Sequence, residues 1–221
     1  MAEKYGTIPK RFTKEWFDYV WTYYKWHIIA PVMVFIFVGY TVYQCANRIP
    51  YDANLIYAGY KVFTDNQTKE ISSGLSQYAN DINGDGDTLV SFRQINFSDS
   101  AGMEEMNYNM QMKLDLQLQT SEAYVYIFDE RQTELMLGRE KEDLIYLPVE
   151  KWADKMPSDD MLYTVNGVAY GVSLRDNEKI KALGINSSDL YMIVKQNYSD
   201  EEEEILRFEN AKKIAAALIS E

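Results

Sequence analysis

The chain has 221 residues, of which 47% are hydrophobic and 25% charged, so it can form one sizeable core and lacks the composition of a disordered protein. Its net charge of −12 is uneven, because residues 28–221 carry 31 acidic and 17 basic side chains whereas residues 1–27 are net basic. An excess of acidic side chains repels nucleic acid and anionic lipid, so neither is expected to bind residues 28–221.

The first predicted element is a membrane-spanning helix over residues 27–47. Roughly 20 residues between Lys25 and Arg48 carry no formal charge, which is about the length that crosses a ~30 Å hydrocarbon core at 1.5 Å per residue. The sequence around Cys45 lacks the small residues of a signal-peptide cleavage site, and the region before the span is long and aromatic. We therefore expect an uncleaved signal anchor that crosses the membrane once.

An aromatic segment precedes this span, within residues 1–26. Trp16, Val20 and Tyr23 fall at helical spacing, which predicts an interfacial helix at the cytoplasmic face of the membrane. Basic residues concentrate before the span, so the positive-inside rule predicts a cytoplasmic N-terminus and an extracellular domain over residues 48–221. The aromatic residues are Trp16, Phe17, Tyr19, Trp21, Tyr23, Tyr24 and Trp26, and the basic residues are Lys4, Lys10, Arg11, Lys14 and Lys25.

After the span the sequence alternates between strand and helix patterns. The order β-α-β-α-β predicts an α/β fold with a mixed, largely parallel sheet and helices packed on it. Asn166-Gly167 between two apolar runs predicts a hairpin turn. Strands are predicted over residues 53–60, 88–97, 123–129, 144–147 and 189–195, a hairpin over 162–174, and helices over 66–80, 103–120 and 201–220.

One loop has the spacing of a calcium site. Oxygen-bearing side chains at positions 1, 3, 5 and 7 and Gly86 at position 6 match the opening of an EF-hand loop. Position 12, where a bidentate carboxylate is needed, is Phe92, and the loop leads into a predicted strand. A polar turn between helix and strand is the alternative interpretation. The four candidate calcium ligands are Asp81, Asn83, Asp85 and Asp87.

Catalytic residues are scarce outside the membrane. The single histidine, His27, and the single cysteine, Cys45, lie at the two ends of the predicted span, so no Ser-His-Asp, Cys-His or histidine-based zinc site is expected in residues 48–221. No glycine-rich phosphate loop is present in the sequence. Hydrolysis by paired carboxylates stays open, because acidic residues are abundant.

Four segments carry a resemblance to a known group of proteins: WTYYKWH at 21–27, ANLIYAGY at 53–60, DINGDGD at 81–87 and NGVAYGVSL at 166–174. Together they resemble uncharacterised single-pass membrane proteins of Gram-positive, Clostridia-type bacteria whose outer domain is similar to extracellular solute-binding proteins. The resemblance covers most of the chain, but its motifs are structural and assign no ligand-contacting residue.

The sequence and the resemblance together favour a non-enzymatic, membrane-anchored binding or interaction domain, in the role of an accessory subunit of a transport or envelope complex. A carboxylate-dependent surface hydrolase is the alternative. The expected partners are the lipid bilayer and other membrane subunits that contact the aromatic helix, whereas the small-molecule or protein ligand stays open. Apart from the candidate calcium ion, no cofactor is expected.

Overall fold

The computed structural model describes residues 9–46, 51–120, 123–138 and 145–220. These residues form two compact units, which divide between residues 49 and 50. Lys4 and Arg48, on which the predicted orientation partly rests, and Leu144, where the fourth predicted strand begins, lie outside the described residues.

The first unit contains one long helix, α1 (Lys14–Ala46), whose N-terminus is capped by the Thr13 hydroxyl accepting the Trp16 N–H at 3.3 Å. By length and composition α1 can cross a membrane, and none of its most apolar 18-residue window is buried. The predicted N-terminal apolar helix is therefore confirmed. The aromatic segment and the span form one continuous helix with Pro31 inside it.

The second unit, called here the α/β unit, contains six strands and five α-helices within the described residues. The strands are β1 (Ala53–Gly59), β2 (Val90–Asn96), β3 (Val125–Asp129), β4 (Leu162–Val165), β5 (Val168–Ser173) and β6 (Leu190–Val194). The helices are α2 (Asp65–Ser76), α3 (Glu104–Thr120), α4 (Glu130–Leu137), α5 (Glu178–Ala182) and α6 (Glu202–Ile219), with two short 3-10 turns at Val149–Lys151 and Asp159–Met161.

The strands form one sheet in the order β2-β1-β3-β6-β5-β4. β1 pairs in parallel with both β2 and β3, whereas the pairings of β3 with β6, β6 with β5 and β5 with β4 are antiparallel. The predicted α/β class and mixed sheet are confirmed, and the parallel part is confined to the first three strands. Where a short strand was predicted over residues 144–147, Tyr146 makes one isolated antiparallel bridge to Lys195.

Helices cover both faces of the sheet. Leu55 and Tyr57 of β1 point to a core shared with α2, α5 and α6, whereas Ile56 and Ala58 point to a core shared with α3 and α4. A strand buried on both faces carries apolar residues at successive positions, which explains why β1 and β3 read as nearly continuous apolar runs in the sequence.

The predicted hairpin is confirmed at β4 and β5. Asn166 and Gly167 both have positive φ, 52° and 81°, as the central residues of a type I′ turn require. Asn tolerates this backbone region and glycine adopts it without steric cost, so the pair sets the position of the turn.

A buried carboxylate fixes the loop that precedes β2. Asp52, which is fully buried at the start of β1, accepts the backbone N–H of Ile82 at 2.9 Å and of Leu89 at 2.8 Å, one with each oxygen. The amide of Asn210 on α6 donates to the backbone oxygens of Asp52 and Asn80 at 3.1 and 3.0 Å. The loop is thus tied to the first strand and to the last helix.

Replacing Asp52 with alanine should destabilise the protein strongly, because two buried N–H donors lose a charged acceptor. A loss of about 2–5 kcal/mol in the free energy of unfolding is expected. Urea denaturation followed by circular dichroism on the full chain in detergent measures it. Asp85→Ala, in the exposed part of the same loop, is the matched control and should change stability far less; equal losses in the two variants would contradict this role of Asp52.

Candidate functional site

The chain leaves β1 and β3 toward opposite faces of the sheet. α2, which follows β1, packs on one face, whereas α4, which follows β3, packs on the other. In open α/β sheets a crevice opens where neighbouring strands send their connections to opposite faces, beyond the carboxyl ends of the strands. The edge formed by the ends of β1, β2 and β3 is therefore where a ligand site is expected.

Asp129 joins the two chain segments on either side of this crevice. Its carboxylate accepts the N–H of Gln132 at 2.9 Å, which caps α4, and the N–H of Tyr60 at 2.7 Å, which follows β1. Burial raises the pKa of Asp129, and the two backbone N–H donors oppose that rise. A side chain at Gly59 would lie 2.6 Å from the Asp129 carboxylate, so this bridge requires a glycine.

The segment after β1 is fixed at further points. The Lys61 N–H donates to the hydroxyl of buried Tyr57 at 2.8 Å, and burial raises the pKa of that hydroxyl. The Lys61 ammonium pairs with Asp189 and donates to the backbone oxygen of Asn186 at 2.7 Å. These contacts hold residues 60 and 61 against the framework of the sheet.

An open cleft of about 600 Å³ lies at the ends of β1 and β2. The Tyr60 ring lies 5.7 Å from the Phe97 ring, and the Arg131 guanidinium lies over the Tyr60 ring at 4.7 Å. Arg131 also pairs with Asp99 at 2.6 Å, and both side chains are about two-thirds exposed. The described residues that line the cleft are Tyr60, Val62, Asn96, Phe97, Ser98, Asp99, Ser100 and Met106.

The loop that carries Asp99 is anchored to α3. The Asn107 side chain accepts the Ser98 N–H at 2.9 Å and donates to the Ser98 carbonyl at 2.8 Å. The Ser98 hydroxyl accepts the Ser100 N–H at 3.2 Å. The backbone of Ser98 and Ser100, on either side of Asp99, is therefore held by hydrogen bonds that do not involve the ion pair between Asp99 and Arg131.

Asn96 contributes an acceptor whose orientation is determined by its neighbours. Gln94 accepts the Phe63 N–H at 3.0 Å and donates to the Phe63 carbonyl at 2.8 Å. Because only the amide oxygen accepts and only the amide nitrogen donates, these two bonds determine the orientation of the Gln94 amide. That oxygen then accepts from the Asn96 amide nitrogen at 3.0 Å. The buried Oδ1 of Asn96 has no hydrogen-bond partner among the described residues, which is unusual for a buried polar atom.

The cleft therefore offers mainly acceptors and an aromatic face to a ligand. Asp99 supplies an exposed carboxylate and Tyr60 the face of its ring, whereas the unpaired oxygen of Asn96 is buried. In the part of the chain that the structure describes, no group of three His, Cys, Asp or Glu side chains is placed to hold a metal ion. The arrangement suits recognition of a ligand that carries hydrogen-bond donors.

The predicted calcium loop lies at the opposite, amino-terminal edge of the parallel strands, before β2. Asp81 accepts the N–H groups of Gly84 and Gly86 at 2.7 and 2.9 Å, one with each carboxylate oxygen. Asn83 and Asp85 each accept the N–H two residues further on, at 2.8 and 2.9 Å. These bonds form a series of polar turns. Calcium binding by Asp81, Asn83, Asp85 and Asp87 stays a prediction.

The cleft residues were not singled out from the sequence, although a signal was present. The predicted strands over residues 53–60, 88–97 and 123–129 end next to Tyr60, Asp99 and Arg131. Carboxyl ends of adjacent parallel strands meet at one edge, so a β-α-β-α-β order directs attention to the residues that follow each strand.

The fold and this cleft define an α/β unit with a crevice at the carboxyl ends of its parallel strands, in a chain that also contains a helix able to span a membrane. No known protein family, no characterised protein and no solved structure was found to match the chain. The cleft geometry must therefore support any functional assignment by itself.

The buried carboxyl of Asp129 predicts a particular pH dependence of stability. Because its pKa is raised in the folded protein, the folded state binds this proton more tightly than the unfolded chain does. The stability contributed by Asp129 should be greatest below its ordinary pKa of 3.8 and fall as pH rises through the raised folded value.

The measurement is urea denaturation of wild type and Asp129→Asn at closely spaced pH values. The variant lacks this titration, so the difference in unfolding free energy, wild type minus Asp129→Asn, should decrease with pH in that window. Other titrating groups largely cancel in the difference. An increase with pH would show that the pKa of Asp129 is lowered instead.

Proposed function

We propose that the protein is a membrane-anchored binding or interaction domain, with the α/β unit outside the cytoplasm, that serves as an accessory subunit of a transport or envelope complex. The observation that supports binding most directly is the cleft at the ends of β1 and β2, where the partly buried Tyr60 ring and the exposed Asp99 carboxylate lie on segments held by partly buried hydrogen bonds. The resemblance of the outer domain to solute-binding proteins agrees with this role.

The alternative, a carboxylate-dependent surface hydrolase, has weaker support. A glycosidase-type mechanism needs two carboxyl groups free to act on a substrate from opposite sides. Near the crevice, Asp129 accepts two backbone N–H groups, Asp189 pairs with Lys61, and Asp99 pairs with Arg131. These carboxylates act in structure or recognition, which favours a binding protein.

Helix α1 supports an additional contact with other membrane proteins. Its 33 residues extend over about 50 Å at 1.5 Å per residue, which exceeds a ~30 Å hydrocarbon core, so its aromatic N-terminal turns continue beyond the span. Phe17, Trp21 and Trp26 are 59%, 59% and 70% exposed. Exposed rings on a rigid helix are suited to packing against neighbouring membrane subunits or headgroups.

The proposed orientation is tested by cysteine labelling of intact cells, in a background where the single native cysteine is removed by Cys45→Ser. A membrane-impermeant maleimide should label Ser73→Cys, on an exposed position of α2, without lysis. It should label Glu15→Cys, at the start of α1, only after the membrane is opened. The reverse pattern would place the α/β unit in the cytoplasm and contradict the proposal.

The accessory role is tested by affinity purification of the full chain from crosslinked membranes. Wild type should bring down other membrane proteins, and the combined replacement of Trp16, Trp21 and Trp26 by alanine should reduce their recovery about tenfold. Tyr198→Ala, which removes an aromatic residue that is 70% exposed in the α/β unit, is the control and should leave recovery unchanged.

Two results would count against these ideas. Partners that persist with the triple replacement would remove the aromatic helix as the contact, while leaving binding by the α/β unit in place. Purification of wild type without any partner would contradict the accessory role itself.

A further inference from the structure

We propose that the cleft at the ends of β1 and β2 binds a guanidinium group, and that the protein's own Arg131 occupies part of this site in the absence of ligand. The inference rests on the proposed function as a binding domain and names the chemistry of its ligand. It is carried by the Asp99 carboxylate and the Tyr60 ring face, which meet at the Arg131 guanidinium.

Each of these groups is complementary to a planar cation rich in N–H donors. A guanidinium carries five N–H donors in a fixed fork, accepts no hydrogen bond and stacks on aromatic rings. Asp99 provides a carboxylate, and the Tyr60 ring provides a face on which a cation is attracted by the ring quadrupole.

Arg131 shows that the site accepts this chemistry. Its guanidinium lies 4.7 Å from the centre of the Tyr60 ring and 2.6 Å from the Asp99 carboxylate. It does so from the first turn of α4, with its side chain 67% exposed. An exposed ion pair contributes little to stability, so a second guanidinium can replace Arg131 at small cost.

The acceptor groups are fixed, whereas the internal cation is the part free to move. The Tyr60 N–H donates to buried Asp129. The Asn107 side chain holds the loop that carries Asp99, because it bonds both the N–H and the carbonyl of Ser98. The Arg131 side chain has several rotatable bonds, and its guanidinium contacts Asp99 and the Tyr60 ring. Binding therefore exchanges one guanidinium for another on a preformed surface.

The surroundings favour a ligand cation that carries an apolar stem. Phe97, Met106 and Val62 line the same cleft as Tyr60 and Asp99, and Val62 is 71% exposed. The methylene chain of an arginine-like molecule can pack on such side chains. The acidic excess of residues 28–221 attracts cations to the unit as a whole.

The same chemistry can come from a free small molecule or from an arginine side chain in a polypeptide, and two probes separate these sources. N-acetyl-arginine amide represents the free ligand, and the capped peptide Gly-Gly-Arg-Gly-Gly represents the polypeptide. N-acetyl-citrulline amide, which has the same shape without the charge, is the control for both. Saturation-transfer NMR with the full chain in nanodiscs measures binding by transfer to the probe protons.

Three variants test the site. Asp99→Asn removes the carboxylate and should weaken binding of both arginine probes about tenfold. Arg131→Ala removes the internal competitor and should strengthen binding roughly threefold. Glu203→Gln, which removes the carboxylate of the exposed Glu203–Arg207 pair elsewhere in the unit, is the matched control and should change nothing.

Stronger binding by Arg131→Ala, together with weaker binding by Asp99→Asn and no binding of citrulline, is the expected result. Preference for the peptide over the free amide would identify a polypeptide as the source of the guanidinium, and the opposite preference a small molecule. Weaker binding by Arg131→Ala would overturn the proposal, because Arg131 would then contact the ligand itself. Failure of both arginine probes to bind wild type would overturn the ligand class, while partners recovered from membranes would still support the proposed accessory role.

Discussion

The bridge made by the Asp129 carboxylate between the end of β1 and the start of α4 determines the geometry of the whole crevice. One oxygen accepts the Tyr60 N–H and the other caps α4, so the two segments that leave the sheet toward opposite faces are held by one rigid group. Burying a carboxylate is costly unless its oxygens are hydrogen-bonded. The backbone donors meet that requirement, and the Arg131 guanidinium, from the first turn of α4, lies over the Tyr60 ring.

A second buried carboxylate plays the corresponding part at the other edge of the sheet. Asp52 holds the loop before β2, as Asp129 holds the segment after β1, and in both cases the donors are backbone N–H groups. The two edges differ in what is left for a ligand. The carboxylates of Asp81 and Asp85 accept hydrogen bonds from backbone groups of their own loop, whereas the exposed Asp99 carboxylate pairs with a side chain, Arg131.

The sequence predicted the strands well because β1 and β3 are buried on both faces and Asn166-Gly167 allows the backbone of a tight turn. It did not predict α4 or α5. Gln132 and Thr133 are buried on α4, so its inner face is partly polar, and α5 has five residues with Ile180 as its one buried side chain. The predicted strand order could place Tyr60, Asp99 and Arg131 at one edge of the sheet, but their contacts depend on side-chain orientations that the sequence does not give.

The exchange of an internal for an external guanidinium sets the kind of binding that this cleft can provide. An empty cluster of acceptors in an acidic unit would be unfavourable, and Arg131 compensates for it when no ligand is present. A ligand then gains only the difference between its contacts and those that Arg131 gives up, so each binding event is weak and reversible. In the proposed membrane-anchored role, α1 would raise the local concentration of neighbouring partners, which would let a weak site act within an assembly without high intrinsic affinity.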